Sequence, residues 1–110
     1  MHDGGWRGAV AVLALAALCA DAAAADPPPA RQQALLHLLF QDCGSCHGLT
    51  MKGGLGPSLE PATLAQKDDE QMQFVILHGR RGTAMPPWSR FLSEAEARWV
   101  VEQLKKGLPQ

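Results

Sequence analysis

The run Cys43-Gly44-Ser45-Cys46-His47 constrains this 110-residue chain more than any other stretch. It places two thiols and an imidazole almost side by side. A Cys-x-x-Cys pair can serve as a thiol–disulfide switch, supply half of a metal site, lock a loop as a disulfide, or anchor a prosthetic group. The compartment and the size of the folded part decide among these.

The amino-terminal quarter does not read as domain. Arg7 is the basic residue of Met1 to Gly8, Ala9 to Ala20 (AVAVLALAALCA) is a continuous apolar run, and DAAAAD follows. A charged start, a short apolar centre and small residues at the cleavage point are the order of a secretory signal peptide. Residues 1–25 are assigned to it, with cleavage after Ala25 and cleavage after Ala20 as the alternative. The apolar run falls short of the roughly 20 residues a membrane-spanning helix needs. No stable membrane insertion is therefore expected after cleavage. Leu18 stands before Cys19, where lipoprotein leaders carry a small residue, so a lipid anchor on Cys19 is the weaker reading. The expected location is the periplasm.

Cleavage would leave Cys43 and Cys46 as the remaining cysteines, in an oxidising space where free thiols do not stay idle. It would also remove Arg7, Asp3 and Asp21. The ten basic and eleven acidic residues of the full chain then become nine of each. A neutral chain without a basic tract gives no footprint for nucleic acid. Lys52, Arg80 and Arg81 read as candidates to ring a binding edge or as solvated loop charges.

Some 85 residues remain, a size at which a hydrophobic core alone is marginal. Such a domain calls for a disulfide, a metal or a large cofactor. Residues 26–30 are a Pro-rich extended segment with no helix inside it, and the domain proper is placed at 31–110. A helix is expected from Ala30 to about Asp42, with Leu35, Leu38 and Leu39 on one face and Leu36 and Phe40 flanking it. The glycines and prolines of 48–62 make a loop, and Ala62 to Lys67 a short helical turn. Asp68 to His78 reads as a second long helix, with acidic residues at its positive end and Gly79 as its stop. Residues 79–91 (GRRGTAMPPWSRF) form another loop. Ser93-Glu94-Ala95-Glu96 is a capping-box signature opening a last helix to about Lys106, with Leu92, Ala95, Trp99 and Leu104 near one face. No stretch alternates like a strand. The fold class is all-α, three main helices with long loops.

In that setting C-x-x-C-H is a signature of c-type haem attachment. Each thiol adds across one porphyrin vinyl group, and the two-residue spacing brings both sulfurs to adjacent edges of one macrocycle. His47 then falls under the iron, and Gly44 and Ser45 are small enough to turn tightly. Zinc would need further ligands from His37 or His78 at unusual spacing. A thioredoxin-like dithiol wants its motif at a strand-to-helix junction, which this chain lacks. A structural disulfide is the remaining rival. For the sixth iron position the candidates are Met51, Met72, Met85, His37 and His78. Met51 is too near His47 in sequence to reach the opposite face, Met72 sits within a helix as a core or surface residue, and His37 reads as solvated. Met85 lies in a loop stiffened by Pro86-Pro87, and its thioether is a soft ligand that favours ferrous iron. His78 is the alternative. If Met85 does not bind, an open iron would suit a ligand sensor or an enzyme.

CGSCHG, GLGPSL, GTAMPPW and a closing amphipathic helix, in this order over nearly the whole mature chain, resemble a class I cytochrome c. The resemblance implies the cytochrome c fold around one covalently bound haem c. It implies thioethers on Cys43 and Cys46, axial iron ligands His47 and Met85, and a Pro57 carbonyl that receives the His47 ring N–H. It also implies Leu59 packed on the haem, Trp88 near the haem edge, and Trp99 crossing the first helix. One departure stands out: Leu39 occupies a position where many members carry an aromatic, with Phe40 next to it. CGSCHGLTMKGGLGPSL with FVILHGRRGTAMPPW further resembles the small NirC-type cytochromes, also called cytochrome c55X, which accompany the cytochrome cd1 nitrite reductase. That implies a periplasmic carrier of single electrons rather than an enzyme, monomeric, with cytochrome cd1 nitrite reductase as its redox partner in denitrification. The alternative is an accessory cytochrome in haem d1 maturation.

Overall fold

A computed structural model of the chain describes residues 25–109. Residues 1–24 of the leader, with Cys19 and the alternative cleavage point after Ala20, lie outside the described residues. Five helices follow in order: α1 (Pro29–Leu38), α2 (Gly44–His47), α3 (Pro61–Leu64), α4 (Asp69–His78) and α5 (Glu94–Lys106). Among the described residues there is no strand, and no helix is long and apolar enough to cross a membrane.

The first helix differs from expectation at both ends. It starts inside the Pro-rich segment, because Pro29 at a first helical position needs no N–H partner and its ring already holds a helical φ. At its other end it does not stop near Asp42. Leu39–Cys43 continues it as one π-helical turn, and α2 follows with Cys43 and Gly44 still helical. Gly44 and Ser45 are therefore helical residues, not a tight turn. The chain leaves the helix only at Gly48, whose φ of 91° no other residue type adopts cheaply.

The last helix carries the capping box its sequence announces, and α4 begins at Asp69 with Asp68, expected inside the helix, as its cap. Asp68 accepts from the Gln71 N–H at 2.8 Å and opens α4. Ser93 and Glu96 form the reciprocal capping box of α5, both bonds at 3.1 Å. Glu96 does more than cap. Arg31 of α1 grips its carboxylate at 2.8 and 2.9 Å and also donates to the Phe91 carbonyl at 2.8 Å. The two ends of the domain are thereby joined. Lys105 near the end of α5 donates to the Lys67 carbonyl at 2.6 Å and pairs with Asp69.

The core lies between α1, α4 and α5. Leu35, Leu39, Leu64, Leu77, Leu92, Ala97, Trp99, Val100 and Leu104 form one buried cluster. Leu39 thus fills the position where an aromatic was the family expectation, packed in the same cluster as Trp99. On α5 the buried face is Ala97, Val100 and Val101 together with Trp99 and Leu104, whereas Ala95 is only half-buried. Each fully buried Leu or Val contributes about 1.5–3 kcal/mol. Few such side chains are present, in keeping with a domain that completes its core around something else.

Candidate functional site

Beside this core lies a cavity of about 640 Å³. The helix through the cysteine motif brings Cys43, Cys46 and His47 to its wall, the loop after it brings Pro57 and Leu59, and the loop after α4 brings Met85 and Trp88. All seven site residues named from the sequence therefore line one space. Leu64, Val75, Ile76 and Val100 add apolar wall, while Lys67 and Arg80 are exposed basic groups at its edge.

The motif side is held by backbone. Gly53 N–H donates to the His47 carbonyl and Gly56 N–H to the Cys46 carbonyl, both at 2.8 Å. These bonds satisfy carbonyls that a helix end would otherwise leave open. The turn so formed places the Pro57 carbonyl oxygen 2.7 Å from Nδ1 of His47. A carbonyl can only accept, so Nδ1 donates to it, which in the neutral ring leaves the Nε2 lone pair free. The ring is seated against bare backbone. A Cβ on Gly56 would stand 2.6 Å from Cε1, 2.7 Å from Nδ1 and 3.1 Å from Nε2 of His47. An imidazole with a fixed tautomer and a free Nε2 is what a metal centre requires of a histidine.

The loop after α4 is tied back onto that helix. Gly79 ends α4 with φ 70°, and a Cβ there would lie 2.6 Å from the Met85 carbonyl oxygen. Arg80 N–H donates to that oxygen at 3.2 Å. Thr83 Oγ1 donates to the Arg80 carbonyl at 2.8 Å and accepts from Met85 N–H at 3.3 Å. Trp88 N–H reaches the Ile76 carbonyl at 3.0 Å, and Ser89 N–H the Leu77 carbonyl at 3.1 Å. Met85 is half-buried between these fastenings.

The other candidate ligands separate clearly. Met51 is buried, with φ 59°, and turns to a second cavity of about 570 Å³ lined by Phe40, Leu104 and Leu108. Lys52 belongs to that second cavity, so it does not ring the first. His37 and His78 are exposed and do not line the first cavity. Met72 does line it, which its helical position had not suggested. Among the described residues no three His, Cys, Asp or Glu side chains converge on a metal-sized point, and the further zinc ligands considered, His37 and His78, do not line the cavity that holds Cys43 and Cys46. Burial, with a smaller push from Asp42, raises the Cys43 thiol to about 11. It is then protonated at neutral pH and a poor exchange nucleophile. A deep apolar cavity, two cysteines at its wall, an oriented imidazole and thioether sulfurs together fit a covalently held haem.

Sequence reasoning missed Gly56, Arg31 and the apolar wall from α4 and α5. Glycine beside a histidine in a folded loop leaves no local signal, and Arg31 meets Glu96 only across the tertiary fold.

Residues 30–103 match the sequence family described as cytochrome C oxidase, cbb3-type, subunit III. Cytochrome c55X of Paracoccus denitrificans is 51% identical over 94 residues, covering 86% of this chain and 91% of that protein. The solved structure of the c-type cytochrome NirC is similar with a TM-score of 0.71 and 50% identity, over 73% of this chain and 94% of that one. The dihydro-heme d1 dehydrogenase of Pseudomonas aeruginosa is 38% identical over 73 residues, 66% of this chain but 15% of that protein.

Proposed function

Because the chain belongs to the c-type cytochromes and carries haem c as its relatives do, we propose that it passes single electrons to a redox protein, the cytochrome cd1 nitrite reductase, in the periplasm. The observation that carries this reading is the His47 imidazole, held through Nδ1 on the Pro57 carbonyl at 2.7 Å, in the same cavity as Met85. When bound, the haem supplies an iron that changes oxidation state by one electron.

The chain's own residues do the rest. Cys43 and Cys46 would hold the group by thioethers, and His47 and Met85 would supply the protein ligands to its iron. An iron held by two protein ligands would exchange electrons without binding a substrate. Pro57 fixes the orientation of the His47 ring. Leu59 and the α4 and α5 side chains keep water from the centre. Trp88, Arg80 and Lys67 line the cavity and would be donors available to carboxylate groups of the macrocycle. The signal-peptide-like leader supports export, and the likeness to cytochrome c55X supports a role beside nitrite reduction.

A second reading, service in haem d1 maturation, is favoured by one observation: 38% identity to part of a dihydro-heme d1 dehydrogenase. Stopped-flow mixing of the ferrous protein with cytochrome cd1 nitrite reductase separates the two. Rapid oxidation of the cytochrome supports the carrier. No oxidation on the time scale of turnover moves the assignment to maturation. Absorption spectra of both oxidation states test the ligands: a low-spin spectrum with the weak far-red sulfur-to-iron band supports Met85. A high-spin spectrum that responds to carbon monoxide points to a sensor or an enzyme.

A further inference from the structure

Two phenylalanines stand out of the surface to nearly the same degree, Phe74 at 62% exposure and Phe91 at 61%. Each has an aromatic neighbour. Phe74 stacks on His78 with ring centroids 4.5 Å apart, and neither residue lines the haem cavity. Phe91 meets Trp88 with centroids 5.8 Å apart and planes tilted by 55°, within the range of a direct aromatic contact. Trp88 does line the cavity. One exposed ring is therefore joined to the cavity by a single aromatic contact, and the other is not.

The Trp88–Phe91 unit is also held rigid. Phe91 N–H donates to the Trp88 carbonyl at 2.9 Å, and Leu92 N–H to the same oxygen at 3.0 Å. Leu92 is buried and lines the cavity. The Phe91 carbonyl accepts from Arg31 at 2.8 Å, and Arg31 is itself clamped on Glu96. Trp88 is pinned to Ile76 from the other side. Burying such a ring would stabilise the fold, so stability does not explain its exposure. A fixed, exposed aromatic offers contact area at little ordering cost on association.

We propose that Phe91, coupled through Trp88, is the point at which an electron leaves the haem cavity for a protein acceptor. The inference rests on the electron-carrier reading above. One electron passes: the ferrous centre becomes ferric and the acceptor is reduced by one. No bond forms or breaks, and no proton moves. Tunnelling weakens steeply across gaps between atoms, so two rings in contact make a better bridge than solvent. Aromatic side chains are also the anchors that interfaces favour.

The test uses the haem-loaded protein and a second copy of itself as the acceptor. Electron self-exchange is measured by nuclear magnetic resonance line broadening in mixtures of ferrous and ferric protein, for wild type, F91A, F91L and F74A. Midpoint potential and absorption spectrum are recorded for each. Self-exchange in F91A should fall about tenfold, the scale of losing an interface anchor, and F91L should fall less. F74A should keep the wild-type rate, with potential and spectrum unchanged in all three. Wild-type exchange in F91A overturns the exit, as does an equal fall in F74A. A shifted potential or spectrum in F91A overturns it too, since the ring would then act on the pocket. If the wild type fails to exchange at all, the carrier reading falls and takes the exit with it. If the wild type exchanges and F91A matches it, the exit alone falls.

Discussion

The two loops that face the haem cavity are built on different principles. Residues 43–58 leave a helix and turn back on its end through backbone bonds: Met51 to Gly48, Gly53 to His47, Gly56 to Cys46, all at 2.8 Å. Residues 79–92 cross open surface, with Arg81 to Ala84 exposed, and are fastened to α4 at a few points. The first loop orients its histidine before any cofactor chemistry begins. The second brings its methionine to the cavity by virtue of being tied to a neighbouring helix. A site can thus combine one preorganised ligand with one that depends on the surrounding fold.

His47→Ala should break this contrast most severely. It removes the oriented nitrogen and leaves the Pro57 carbonyl without its partner, and the yield of protein with covalent haem should fall more than about tenfold, the scale on which metal centres suffer when a ligand's support is lost. Haem staining of purified protein checks it. Met85→Ala should keep its covalent haem but turn high-spin and bind carbon monoxide, with a lower midpoint potential because a soft ligand to ferrous iron is gone. If M85A loses haem as H47A does, the two loops are not different in kind.

A smaller pair sharpens the contrast. Gly56→Ala drives a methyl to 2.6 Å from the His47 ring and should cost about 1–3 kcal/mol by overpacking. Gly82→Ala, with φ 75° and no atom within 4 Å, should cost about 1–2 kcal/mol of backbone strain alone and leave the haem spectrum unchanged. Urea unfolding with spectra of both variants decides it.

The smallest effect lies away from the haem. The hydrogen bond from Arg31 holds the Glu96 carboxyl below its ordinary range, against a partial opposing effect of burial. A carboxylate with a lowered folded value adds stability that is present at neutral pH and lost as pH falls through that value. Arg31 is 37% exposed along its side chain, so solvent screens the pair, which contributes about 1 kcal/mol or less. Glu96→Gln should be less stable than wild type at neutral pH, and the difference should shrink towards zero in acid.

Legibility followed the range of the interaction. Ser93 and Glu96 act on backbone within three residues, and their capping box stands where the sequence placed it; Asp68, read as an acidic residue within the helix, caps α4 instead. The Cys43–His47 motif carries a local signal for a related reason: the haem attachment proposed for it would fix its spacing through the macrocycle, whatever the tertiary context. The methionines were harder. Met51 and Met72 could be judged only by reach and element type, and Met72 nevertheless joins the cavity wall.

By itself, then, the sequence determined what is local: helix ends, loops, and the chemistry of two thiols and a histidine at fixed spacing. Tertiary structure alone decided the unbroken run of helix through the motif by a π-helical turn, the Arg31–Glu96 clamp between residues 65 positions apart, and which side chains wall the cavity. The physical reason is that a cap or a motif needs only its own backbone. A cavity wall, a buried ring and an ion pair between residues far apart in sequence need the packing of helices that the local sequence does not contain.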